Sequence, residues 1–160
     1  MLCAGTSVHR TRHLLDPAMK PNQAVCNYSL LRFRPYAETE EFVNVGVLVT
    51  CQQPCLIHFL AEQKMPARAK ALFHQQNEQA FETALEAMRR DLERVKAGVH
   101  DPKSCQFAFN EVVRIRESTF RFGEVRTILT ANPESLVEEL FSRYVRMEAP
   151  VPRDPQLAAV

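Results

Sequence analysis

Within the stretch Asn27–Cys51, NYSLLRFRPYAETEEFVNVGVLVTC, three residue types suited to holding a ligand sit in two adjacent extended runs. Arg32 offers a planar fork of donors, Asn44 both a donor and an acceptor, and Gly46 a bare backbone that a ligand can approach. An amide and a glycine inside a strand both weaken it, because neither packs well on a pleated surface. Their presence among valines therefore calls for a reason. Strand alternation supplies a register: if Val43, Val45, Val47 and Val49 face the core, Leu31 and Phe33 join them, pairing Phe33 with Val43 and Leu31 with Val45. The opposite face then sets Arg32 beside Asn44 and Leu30 beside Gly46. The same matching places Ile57 and Phe59 with the valines and His58 beside Leu48. One face is a dry core, and the other carries Arg32, Arg34, Asn44 and His58 around a glycine. Two explanations stand side by side for that polar face. It is an anion or peptide platform, or it is a solvated outer face. In the second case the Arg32 stem covers Tyr28 and Leu30, Asn44 bonds across strands and Gly46 relieves crowding or marks a bulge.

Other constellations are weaker. Cys51 and Cys55 bracket a turn with His58 three residues on, but structural zinc wants four ligands. Only Cys3, His9 and His13, in an N-terminal extension, are left to complete the set, so neither a metal nor a cofactor is expected. Nucleophilic catalysis needs a nucleophile, a base and an orienting group held together. The sequence has no nucleophile elbow, glycine-rich oxyanion loop, P-loop or dinucleotide fingerprint to frame one. Arg114, Arg116, Arg121 and Arg126, with Phe120 and Phe122 interleaved, form the alternative. Arginines neutralise phosphates and aromatics stack bases, although Glu111, Glu117 and Glu124 dilute the stretch.

The elements that position these residues follow from pattern and punctuation. A first strand spans roughly Val25–Phe33 and stops before Pro35, which has no N–H for a ladder. The acidic loop Tyr36–Glu40 leads to a valine-rich strand Phe42–Thr50, and a turn at Gln52–Pro54 to a third strand, Leu56–Leu60. Tight connections make this an antiparallel meander. A short helix over Pro66–His74 precedes the most regular element, capped by Asn77, ended by Gly98, and carrying Phe81, Leu85, Met88, Leu92 and Val95 on one face. Phe107–Ile115 fits either a strand or a short helix. Phe120–Thr130 reads as extended and broken at Gly123, and Asn132-Pro133-Glu134 announces a last helix to Arg146. The fold class is α+β: an antiparallel sheet of about four strands, the meander plus a late strand, packed on one face by three or so helices. Residues 1–23 read as an extension, 24–148 as a single domain and 149–160 as a tail.

Composition narrows the functional classes. The 160 residues carry a formal net charge of +1, which gives no global field to recruit nucleic acid or an anionic membrane. Five cysteines, odd in number and irregularly spaced, with no secretory signal before them, point to reduced thiols in a cytoplasm. No apolar run approaches the length of a membrane span.

The pattern YSLLR, a short loop, then EFVNVGVLV resembles the opening of a bacterial family catalogued as domain of unknown function 3037. The resemblance extends through a charged helical middle to GEVRTILT and a final helix, roughly Asn27–Met147, and departs from the family pattern around Gln106–Arg121. It implies Tyr28, Arg32, Asn44, Gly46 and Arg126 as positions to watch. Some members lie beside a kinase-like gene resembling the HipA toxin family, which implies a partner more than a substrate. The expected function is a non-catalytic bacterial accessory protein that binds a protein partner through its sheet face or edge, in a kinase-linked stress or toxin–antitoxin-like system. The alternative is a nucleic-acid binder in a mobile-element or phage-defence setting.

Overall fold

A ten-residue strand, β1 (Ala24–Phe33), forms the centre of the sheet because both of its edges are paired. The computed structural model describes residues 22–114 and 118–147. The terminal extension and tail, like Arg116, lie outside the described residues except for the two positions next to β1. On one side of β1 runs β2 (Val43–Gln52), followed by β3 (Cys55–Ala61), both antiparallel. The other side is shared by two short strands. Strand β4 (Phe120–Phe122) pairs with Leu31–Phe33, and β5 (Arg126–Thr130) pairs with Ala24–Tyr28. The sheet thus has five strands, and the extended stretch expected over Phe120–Thr130 is two of them, separated at Gly123. That break is held in place: the buried Ser29 hydroxyl donates to the Gly123 carbonyl at 2.8 Å, and the Gly123 N–H donates to Leu30 at 2.9 Å.

Helices α1 (Ala67–Leu72), α2 (Glu78–Ala97) and α3 (Pro102–Val113) cover one sheet face. Asn77 caps α2 by accepting from the Ala80 N–H at 3.0 Å. Of the segment that fitted either a strand or a helix, Phe107–Val113 belongs to α3. Its start is a capping box: Asp101 accepts from the Ser104 N–H while the Ser104 hydroxyl accepts from the Asp101 N–H. Two orphan donors are satisfied reciprocally there, a stronger helix signal than the apolar pattern further along. After a 3-10 turn at Pro133–Ser135, α4 (Leu136–Tyr144) lies on the other face. Asn132 makes no side-chain cap bond there.

The regular register fails at one point. Phe33 pairs with Val43 and Arg32 with Asn44, as alternation predicts, but Leu31 then pairs with Gly46 and Leu30 with Val47. Val45 is the extra residue of a β-bulge, and every later side chain of β2 changes face. Val43 and Val45 pack with Phe33, Phe73, Phe81 and Leu85, whereas Val47 and Val49 pack against Leu136, Leu140 and Phe141 of α4. Leu48, expected on the polar face, is fully buried beside Phe109 of α3. The valines therefore serve two cores. His58 lies across from Val49 rather than Leu48 for the same reason.

Two carbonyls at the bulge find partners outside the β1 ladder. The Val45 carbonyl accepts from Glu62 N–H at 2.8 Å, and the Asn44 carbonyl accepts from an Arg68 guanidinium nitrogen at 2.7 Å. Such satisfaction is what makes an irregular buried strand tolerable. Gly46 is explained here too. A Cβ at this position would sit 3.0 Å from Ala61 Cβ, 3.1 Å from the Leu60 carbonyl oxygen and 3.3 Å from Leu31 Cβ.

Candidate functional site

Where α4 stops short of covering the sheet, the exposed end of its face is dominated by arginine. Arg32 of β1 pairs across strands with Arg121 of β4 and with Asn44 of β2. Arg34, two residues beyond Arg32, continues the same alternation, and its N–H donates to Thr119 at 2.7 Å. Arg126 of β5 lies across from Tyr28. Direct cross-strand neighbours have Cβ atoms about 5 Å apart, so these cations share one surface.

Packing, rather than an ion pair, sets the position of Arg32. Its guanidinium carbon lies 4.2 Å from the centre of the Phe42 ring, and the group also lies against the Gly123 backbone. A Cβ at Gly123 would fall 2.9 Å from Arg32 Cζ. The cation thus packs on both an aromatic face and a bare backbone, an arrangement that the planar guanidinium suits better than an ammonium. Among the described residues, Arg32, Arg34 and Arg121 make no ion pair, and Arg126 reaches Glu124 at 3.5 Å. The Nε atoms of Arg32, Arg34 and Arg121 are buried without a hydrogen-bond partner, as is Asn44 Oδ1. The orientation of the Asn44 amide is given by its nitrogen, which donates to the Tyr144 carbonyl at 3.5 Å.

Beside this cluster opens a cleft of about 360 Å³ lined by Tyr28, Leu30, Arg32, Glu124, Arg126 and Tyr144, with the Gly123 backbone at its wall. The Tyr28 and Tyr144 rings stack with centroids 6.4 Å apart and planes 11° apart. Burial, then the neighbouring Tyr144, raises the Tyr28 phenol above its usual value of 10.0, so it is a neutral wall of the cleft at physiological pH.

Of the residues singled out from the sequence, Tyr28, Arg32 and Arg126 line the cleft, and Arg34 and Asn44 adjoin it. Gly46 does not join them; it faces the α1–α2 side of the sheet. His58 shares the sheet face but lies under the start of the α4 segment, 3.9 Å from Glu134. Arg121, read from the sequence as part of a nucleic-acid stretch, belongs to the arginine cluster instead. Its companions separate: Arg114 ends α3 and sits 4.0 Å from Glu111, while Phe120 is buried and Phe122 packs against Phe59. Gly123 and Phe42 were not singled out. The glycine's place at the break in an extended stretch was the available signal, and nothing local marks Phe42 as a cation's partner.

Among the described residues the thiols do not converge on a metal-binding geometry. Cys51 is buried and donates to the Val25 carbonyl at 3.3 Å, whereas Cys55 is exposed and donates to Asp101 at 3.4 Å. No three His, Cys, Asp or Glu side chains are grouped to hold a metal among the described residues. Burial, reinforced by Cys51 across the strand pair, pushes the Cys26 thiol up to about 12. Iodoacetamide at neutral pH should therefore label Cys55 and spare Cys26, Cys51 and Cys105, as mapped by peptide mass spectrometry. The raised value also gives a sign for alkaline stability. Neutral Cys26 contributes fully below its ordinary 9.0, and that contribution is lost as pH climbs towards about 12.

The fold and site define an α+β protein with a cationic cleft on a partly covered antiparallel sheet. A family model described as "Protein of unknown function (DUF3037)" matches residues 28–145, and the chain belongs to that family. Comparison with curated proteins and with solved structures gives no match. No helix among the described residues is long and apolar enough to cross a membrane.

Proposed function

We propose that this protein is a non-catalytic binding protein of the bacterial cytoplasm, and that its arginine-lined cleft receives an anionic segment of a protein partner. The observation that carries the reading is the set of three arginines on one sheet face without a carboxylate partner among the described residues. Unpaired cations held in place by packing are costly to stability and useful for recognition. Among the described residues the cleft is lined by two arginines, one carboxylate and two tyrosines, a set that suits binding an anion better than nucleophilic catalysis. The nucleic-acid alternative keeps Arg121 and Arg126 on this face but not Arg114, which pairs with Glu111, and it loses Phe120 to the core.

The test is affinity capture with wild-type protein and with an Arg32→Gln/Arg121→Gln double variant, followed by mass spectrometry. Partners retained by the wild type should be lost by the variant and released from the wild type by salt, as surface electrostatics requires. An identical captured set for both proteins would remove the cleft from the function.

A further inference from the structure

We infer that the anion this cleft is built for is a phosphomonoester dianion, carried on a side chain of the partner, rather than a carboxylate. The inference rests on the binding reading above and adds the chemical class. Arg32 and Arg126 line the cleft, Arg121 lies directly across from Arg32 with Arg34 next along the same face, and Glu124 answers only Arg126. A carboxylate brings one negative charge and two acceptor oxygens. It would leave most of the remaining positive charge unopposed on a face where Arg32 and Arg121 are direct cross-strand neighbours. A phosphomonoester brings close to two charges and three acceptor oxygens, and guanidinium forks match that geometry.

The cleft's shape points the same way. Arg32 packs on Phe42 and Gly123, so its fork is presented without first being ordered by the ligand. Tyr28, Leu30 and Tyr144 supply an apolar wall on the same cleft, where the stem of a phosphorylated side chain can lie. Besides the arginines, the titratable groups lining the cleft are Glu124 and the two tyrosines.

The experiment uses the full chain in calorimetric titrations with four probes. These are one acetylated pentapeptide carrying a central phosphotyrosine, the same peptide with phosphoserine, the same peptide with glutamate, and a short oligothymidylate. Expected at pH 7.5 is at least a tenfold tighter association of a phosphopeptide than of the glutamate peptide. That gap should close towards pH 5, because the second phosphate ionisation lies near 6 whereas glutamate is already charged. Arg121→Gln, a change on a short edge strand, should reduce phosphopeptide affinity more than glutamate-peptide affinity, with melting temperature reporting that the variant is folded.

Equal affinity for the glutamate and phosphorylated peptides would overturn the phosphate class and leave the binding proposal standing. Failure of all three anionic peptides would overturn both. Tighter binding of oligothymidylate, whose diesters carry single charges and no ionisation near 6, would overturn both in favour of nucleic acid.

Discussion

Gly46→Val is expected to cause the largest loss of stability of any single change in the sheet, on the order of 4 kcal/mol, with Gly46→Ala costing about 2 kcal/mol. The first added carbon already meets Ala61 Cβ at 3.0 Å and the Leu60 carbonyl oxygen at 3.1 Å. One of these is a backbone atom of the neighbouring strand, so relief requires β3 to move rather than a side chain to turn. Movement is resisted because β3 is pinned from outside: Arg89 of α2 donates to the carbonyls of Ala61 at 3.0 Å and Glu62 at 2.7 Å. Valine adds two branches to the same space, against a total stability typically between 5 and 15 kcal/mol. Urea unfolding should show the midpoint falling in the order wild type, alanine, valine, with the slope unchanged for alanine. Gly98→Ala is the control. A Cβ there meets only the Val95 carbonyl oxygen at 3.5 Å, and the residue has φ −86°, so its midpoint should stay level or rise slightly. A Gly46→Ala protein as stable as wild type would show that the close approach of β2 and β3 does not require glycine.

Gly46 also shows how much of the fold was legible and where legibility ended. Strands, most helices and the α+β class follow from alternation, proline and glycine punctuation and a four- and three-residue apolar period. Those are local properties. The bulge at Val45 is not, because it is satisfied by Glu62 and Arg68, which are remote in sequence. One clue was nonetheless present: Val47, Leu48 and Val49 are consecutive apolar residues, and a continuous run is the mark of a strand covered on both faces. Placing Val47 and Val49 on a dry core face and Leu48 on the polar one left α4 without its side of the sheet. The Arg32–Asn44 pairing lies on the hairpin side of the bulge, so it survived the error, whereas the positions of Gly46 and His58 did not. Arg121 reached the site through the β1–β4 pairing, a contact between distant segments that no spacing within Phe120–Thr130 reveals.

Gly123→Ala is expected to separate folding from binding. The added Cβ would sit 2.9 Å from Arg32 Cζ and 3.0 Å from its Nε and Nη2. Unlike the neighbours of Gly46, these atoms are the far end of a flexible side chain, so Arg32 can swing away and the fold can remain. The stability cost should stay within about 1 kcal/mol, including the lost contact with Phe42, itself worth about 0.5–1 kcal/mol at a partly exposed site. Binding should suffer more. Displacement removes the fork from the cleft and leaves its charge nearby, so phosphopeptide affinity should fall about tenfold, equivalent to ~1.4 kcal/mol. Arg32→Lys makes the complementary change, keeping the charge in place of the planar fork, and should weaken binding comparably. The pair distinguishes two roles for Arg32. If the residue merely contributes to a positive field, neither change matters, because each preserves the cation, and salt alone would weaken binding. If its orientation against Phe42 and Gly123 is what recognises the ligand, both variants lose affinity while melting close to the wild type.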